Sequence, residues 1–133
     1  MTLLHNDESF IRSLEYYATV YPHYEKQNPA CKYDHYLDTL QQFHPDIQSM
    51  LDYGCASGRF LGFVNKIVPD TNLYGLDINE SAIQNAQSNV PQGVFKAGEI
   101  DTLKDFPPVD VITALDVLEH VSSPEAVLLA LKQ

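Results

Sequence analysis

The chain has 133 residues and a mass of 15.0 kDa, enough for one domain with its own core and no more. Hydrophobic residues make up 44% and charged residues 20%, which excludes a disordered chain, and no run approaches the roughly 18 apolar residues of a membrane span. Eighteen acidic residues against eight basic ones leave a formal charge of −10, a sign that repels phosphate backbones and argues against a nucleic-acid partner.

Met1 to Asp7 carries neither a basic patch nor an apolar core, so no secretory signal is predicted. Cys31 and Cys55 are too few for a disulfide framework or a structural zinc site, and the simplest location is the cytoplasm.

The first third reads as helical. Phe10, Ile11, Leu14, Tyr17, Ala18 and Tyr21 recur at helical spacing after a cap at Asn6 or Asp7, and a second helix carries Tyr33, Leu37 and Leu40 and ends near Phe43 to Pro45. Six of the eight tyrosines lie before residue 40. From residue 49 strands and helices alternate. The predicted strands are Ser49–Tyr53, Asn72–Ile78, Val94–Ala97 and Val109–Leu115, the last apolar enough to be covered on both faces. The helices between and after them are Arg59–Val68, Asn79–Asn89 and Val121–Lys132, with Ser123 as cap of the last and Pro124 at its first position. Such alternation predicts an α/β fold with a doubly wound parallel sheet. Residues 1–48 form a helical amino-terminal segment and 49–133 the sheet domain.

The chemistry gathers at Leu51-Asp52-Tyr53-Gly54-Cys55-Ala56-Ser57-Gly58, between the first strand and its helix. Gly54, where the strand ends, lets a ligand approach the backbone, and Gly58 lets the helix pack closely. The helix start turns free N–H groups toward any negative group bound there. Asp77 follows nineteen residues after Gly58, at the tip of the second strand. In nucleotide-binding sheets a carboxylate at that place accepts from both ribose hydroxyls, and Ile78 beside it offers an apolar face to an adenine. The glycine spacing is not the G-x-G-x-x-G of a dinucleotide site, and there is no P-loop lysine. The competing reading of these residues is a tight turn and a solvated acid.

Asp52-x-Gly54-Cys55-Ala56-x-Gly58 and Leu76-Asp77-Ile78 resemble the cofactor site of class I (Rossmann-like) S-adenosylmethionine-dependent methyltransferases. Val94 to Leu103 resembles that family's segment after the third strand. Val109 to Val121 resembles its fourth strand with the "LEHV" turn, frequent in small-molecule methyltransferases of the ubiquinone-biosynthesis type. The resemblance covers about residues 49–133 and implies S-adenosylmethionine as cofactor, with S-adenosylhomocysteine as product, and a small-molecule acceptor. It further implies that Asp52 orients the methionine end and that Gly54, Cys55, Ala56 and Gly58 line it. Asp77 then holds the ribose, Ile78, Glu99 and Ile100 frame the adenine, and Ala114 and Leu115 wall the methionine side. Ala56 stands where a third glycine is usual, and Glu99 replaces the commoner aspartate. No catalytic base is assigned.

Asp116, Glu119 and His120 place three hard-metal ligand types on one turn, as in some relatives that bind a divalent ion there. The preferred reading is that they brace the turn, so no metal is expected. The tyrosines are read as helix packing, with Tyr16, Tyr17, Tyr21 and Tyr24 the candidates for a segment folded over the cofactor.

The resemblance also implies a seven-stranded sheet, of which four strands are predicted here, so the fold is expected to be truncated after the fourth strand. The chain is then either part of a longer methyltransferase or a homodimer paired through its exposed fourth strand. A non-catalytic module that binds cofactor or a partner is the main alternative. An NAD-dependent oxidoreductase and aminopropyl transfer also share this architecture.

Overall fold

The computed structural model describes residues 30–132. The predicted helix over Phe10 to Tyr21, Tyr16, Tyr17, Tyr21 and Tyr24, and the side chain of Cys31 lie outside the described residues. Helix α1 spans Ala30–Phe43, followed by β1 (Ser49–Tyr53), α2 (Arg59–Ile67), β2 (Asn72–Asp77), α3 (Glu80–Asn89) and β3 (Val94–Ala97). A 3-10 helix at Ile100–Asp105 leads to β4 (Val111–Thr113), and a second at Leu118–His120 leads to α4 (Pro124–Leu131). None of the described helices is long and apolar enough to cross a membrane.

The four strands form one parallel sheet in the order β3-β2-β1-β4. Parallel sheets need cover on both faces, and the pleat divides the side chains accordingly. Met50 and Leu73 turn to one face, where they pack with Phe95, with Tyr33 and Leu37 of α1, Phe60, Leu61 and Val64 of α2, and Ile83 and Ala86 of α3. Leu51, Tyr53 and Leu76 turn to the other, against Ile100, Phe106, Val121 and Val127. Met50, Leu61, Leu76, Val64 and Val127 are fully buried. The doubly wound parallel sheet read from the sequence is the observed architecture.

Among the strands, β4 departs most from prediction. It runs over Val111–Thr113 only, and Val111 and Ile112 are half-buried instead of covered on both faces. Asp110 accounts for the late start. Its carboxylate accepts from the backbone N–H groups of Gln48 and Ser49 (2.8 and 3.1 Å), and its own N–H donates to Ser49 Oγ (3.0 Å). Those donors hold the Asp110 carboxyl below the usual carboxylate range. Among the described residues β4 pairs only with β1, so its outer side is a sheet edge. Beside it runs a groove of about 560 Å³ lined by Phe106, Val109, Ile112, Ala130 and Leu131.

The last helix is also shorter than predicted. It starts at Pro124, and Ser123 makes no side-chain cap bond. The Ser123 carbonyl instead accepts from Val127 N–H at 3.3 Å, so the residue begins the helix through its backbone. Asn79, by contrast, caps α3 by accepting from Ala82 N–H (3.1 Å).

Gly75 sits in the middle of β2, under the Phe95 ring and the Cys55 thiol. A Cβ there would lie 2.5 Å from the ring and 2.8 Å from the sulfur. Both neighbours are buried. Gly75→Ala is therefore expected to cost about 1–3 kcal/mol, the range for overpacked cores, read as a lower urea midpoint with an unchanged denaturant slope.

Candidate functional site

The sheet reverses direction of growth at β1: β2 and β3 follow on one side and β4 lies on the other. Ligands of open α/β sheets bind in the crevice at the carboxyl ends of strands beside such a reversal. At that place the turn after β1 forms a narrow cleft of about 70 Å³. Asp52, Gly54, Cys55, Ala56 and Leu115, all candidates from the sequence, line it. Tyr33 and Tyr36 of α1, Ser57, Arg59 and Phe60 at the start of α2, and Asp116 complete the walls.

The turn is held by backbone bonds and by one side chain. Gly54 N–H and Cys55 N–H both donate to the Leu76 carbonyl (2.7 and 3.1 Å), and Gly58 N–H donates to the Cys55 carbonyl (2.9 Å). Asp77 then ties the turn to β2: one carboxylate oxygen accepts from Ala56 N–H and the other from Asn79 N–H, each at 2.8 Å. Burial pushes the Asp77 carboxyl up, and these N–H donors oppose the rise.

Gly54 adopts φ +80°, and a Cβ on it would run into the Val117 side chain, which reaches across from the segment after β4. Gly58, at φ +77°, brings the start of α2 against Ala86, 3.1 Å from where its Cβ would be. Ala56 also lies in the left-handed region, at φ 48°. This is the position at which the sequence departs from the glycine usual in the family it resembles, and the backbone keeps the conformation a glycine would take. Cys55 packs its side chain into the core over Gly75, and burial pushes its thiol up, away from a reactive thiolate.

Asp52 is the buried carboxyl of the cleft. It is 3% exposed, and Thr113 Oγ1 donates to its Oδ1 at 2.6 Å. Burial pushes the Asp52 carboxyl up to about 7; the Thr113 hydrogen bond works against that rise and the nearby Asp77 charge adds to it. Tyr53 is pushed up to about 12 by burial and by Asp77.

The remaining candidates lie around this cleft, not in it. Gly98 N–H donates to the Asp77 carbonyl (2.9 Å), which sets Glu99 beside the β2 tip. Ile100 is 3% exposed and its side chain points into the core on the far face of the sheet, with Ala114 packed against that same core. Ile78 is half-buried next to Asp77. Asp116, at φ 55°, pairs with Lys32 Nζ (3.0 Å), and His120 Nε2 lies 3.8 Å from Glu119. Among the described residues no three His, Cys, Asp or Glu side chains converge as a metal site requires.

Sequence reasoning did not single out Thr113, Arg59, Tyr33 or Tyr36 for the site. Arg59 was detectable, since it directly follows Gly58. Thr113 was not: it stands 61 residues from Asp52 and meets it only through the β1–β4 register.

The methyltransferase domain family matches residues 23–133 of this sequence. The chain belongs to that family. It is 25% identical over 130 residues to the mitochondrial ubiquinone biosynthesis O-methyltransferase of Saccharomyces cerevisiae, an alignment covering 94% of this chain and 41% of that enzyme. The fold is similar to that of the plantazolicin methyltransferase BpumL, solved in complex with SAH (TM-score 0.74, 22% identity, 93% of this chain and 50% of that one). It is also similar to that of CalS10, an amino pentose methyltransferase from Micromonospora echinaspora solved with SAM bound (TM-score 0.67, 21% identity, 80% and 47%). The chain thus spans about half or less of the length of the relatives it matches.

The strained turn and the buried acid can each be tested by stability. A left-handed alanine costs about 1–2 kcal/mol, and glycine adds back about 0.4–1 kcal/mol of unfolded-chain entropy. Ala56→Gly should therefore raise stability by up to about 1.5 kcal/mol, seen as a higher urea midpoint. For Asp52 the native carboxyl titrates near 7 against 3.8 in the unfolded chain. Between those values only the unfolded state ionises, so stability falls as pH rises through this window and stays low above it. Asp52→Asn removes the effect: the variant should exceed wild type by on the order of 4 kcal/mol at pH 8, with the gap closing toward pH 4 in urea titrations.

Proposed function

We propose that the chain binds S-adenosylmethionine in the Asp52 cleft and serves transfer of its methyl group to a small-molecule acceptor. The observation that carries this reading is the pair of carboxylates at adjacent strand tips, Asp52 buried in the wall of the cleft and Asp77 half-buried and tied to its glycine turn. When bound, the cofactor supplies an already activated methyl on a sulfonium and leaves as S-adenosylhomocysteine. Catalysis then asks the protein mainly for positioning.

The residues suit that group. Asp52, whose Oδ1 is taken by Thr113, has a second oxygen for the ammonium of the methionine end. Gly54 lines the cleft through its backbone, the place of a Cβ being filled by the Val117 side chain. A cleft of about 70 Å³ is smaller than a usual small-molecule pocket of about 300 Å³ or more, so the methionine end enters it while the nucleoside extends past Asp77. Asp77 accepts backbone N–H groups from Ala56, Asn79 and Ile78, and its remaining lone pair accepts from a ribose hydroxyl. Ile78 and Glu99 lie beside that path and frame the adenine. Ile100 takes part through the main chain alone, since its side chain is in the core. Leu115 walls the methionine side, with Ala114 behind it.

In this reading residues 1–48 form a cap and 49–133 the cofactor domain; Tyr33 and Tyr36 of the cap already reach the cleft. A formal charge of −10 favours a neutral or cationic acceptor. The solved relatives support the cofactor, because BpumL holds SAH and CalS10 holds SAM.

Calorimetric titration of S-adenosylhomocysteine should give one site, weakened at least tenfold in Asp77→Ala. That is the loss expected when a charged hydrogen-bond partner worth about 1.5–3 kcal/mol is removed. Competition by NADH at the same site would instead favour the oxidoreductase reading. Binding without turnover on any acceptor would favour a non-catalytic module.

A further inference from the structure

We propose that Thr113 is a positioning residue for cofactor recognition: its hydroxyl holds one oxygen of Asp52 and leaves the other turned to the cleft for the cofactor's ammonium group. The proposal rests on the cofactor reading above and deepens it. Thr113 and Asp52 are register partners in the parallel β1–β4 ladder, so their side chains stand on the same face of the sheet. Both are buried, at 6% and 3% exposure, and the bond between them is 2.6 Å long. Asp52 lines the cleft whereas Thr113 does not, so the threonine acts from behind the carboxylate. Threonine is well suited to this position, because its β-branch stiffens the side chain in a strand and its hydroxyl donates to the carboxylate from a fixed direction.

A carboxylate this buried resists ionising, yet only the ionised form attracts an ammonium group. A donor held on the protein side lowers that resistance without occupying the ligand's side. The other charged or titratable groups around Asp52 work differently. From β2, Asp77 opposes ionisation, and the adjoining Cys55 thiol is itself held protonated by burial and by both carboxylates. Tyr53, next on β1, faces the opposite core and stays protonated. Arg59 of α2 and Tyr33 and Tyr36 of α1 line the far walls of the cleft. Asp116, beyond β4, is paired with Lys32. Thr113 is the group whose hydrogen bond favours the ionised form of Asp52.

The test uses the full chain, with Thr113→Val and Thr113→Ser. Two quantities are measured: the ligand-free titration of the Asp52 carboxyl by carbon-13 NMR, and S-adenosylhomocysteine affinity by calorimetry from pH 6.5 to 9. Thr113→Val should raise the Asp52 midpoint by one unit or more, and so weaken binding about tenfold at pH 6.5. The ratio of wild-type to variant affinity, in which the ligand's own amine cancels, should fall toward unity at pH 9. Thr113→Ser should restore both. An unmoved Asp52 midpoint, or an affinity loss equal at every pH, overturns the proposal, since a packing defect does not track pH. Should Thr113→Val not fold, Thr113→Ala is judged by the same two criteria. Unchanged affinity in a variant whose wild type binds overturns this inference alone. Absence of binding by folded wild type overturns the cofactor reading and this inference with it.

Discussion

β1 lies between β2 and β4 and meets water on neither face: Met50 and Leu51, successive residues pointing opposite ways, are both buried. Burying a strand twice requires a layer of helices on each side of the sheet. The α1–α2–α3 layer meets that demand on one face, and the first 3-10 helix, the turn through Val121 and α4 meet it on the other. Neighbours on both edges also fix the strand end in space. The turn at its carboxyl end is therefore placed by the core and needs little rigidity of its own.

That turn carries an unusual electrostatic load. Asp52 and Asp77 stand at adjacent strand tips, both partly or wholly desolvated, and the charge of one raises the cost of ionising the other. The structure meets the cost with donors. Ala56 and Asn79 give two backbone N–H groups to Asp77, and Thr113 gives a hydroxyl to Asp52. The left-handed backbone at Gly54, Ala56 and Gly58 is part of the same arrangement, because it winds the turn tightly enough for its amides to reach Leu76 and Asp77.

Family membership and site chemistry stand on different ground. The match over residues 23–133 establishes the methyltransferase domain, while the solved neighbours at 21 and 22% identity speak for the fold. The chain spans half or less of its relatives' length. Beside the cleft stand the aromatic edge of α1, with Tyr33 against Phe60 and Phe63, and the Lys32–Asp116 pair.

Local pattern was sufficient for much of this protein. Alternating apolar runs and glycine turns placed β1 and β3 on their observed residues, and Asn79 and Pro124 marked helix starts that the backbone obeys. The glycine turn and Asp77 were legible because their residue types stand at short, fixed spacings in the sequence. Tertiary structure decided what depends on distant partners. β4 is shortened by Asp110, which turns to the backbone of Gln48 and Ser49, 62 and 61 residues away. Ile100 is drawn into the core by neighbours on other elements, and Lys32 meets Asp116 across 84 residues. Thr113 reached Asp52 only once β1 and β4 were in register. Sequence periodicity records which way a side chain must face, because that is set by its own backbone; which group it meets there is set by how separate elements pack, and no local signal carries it.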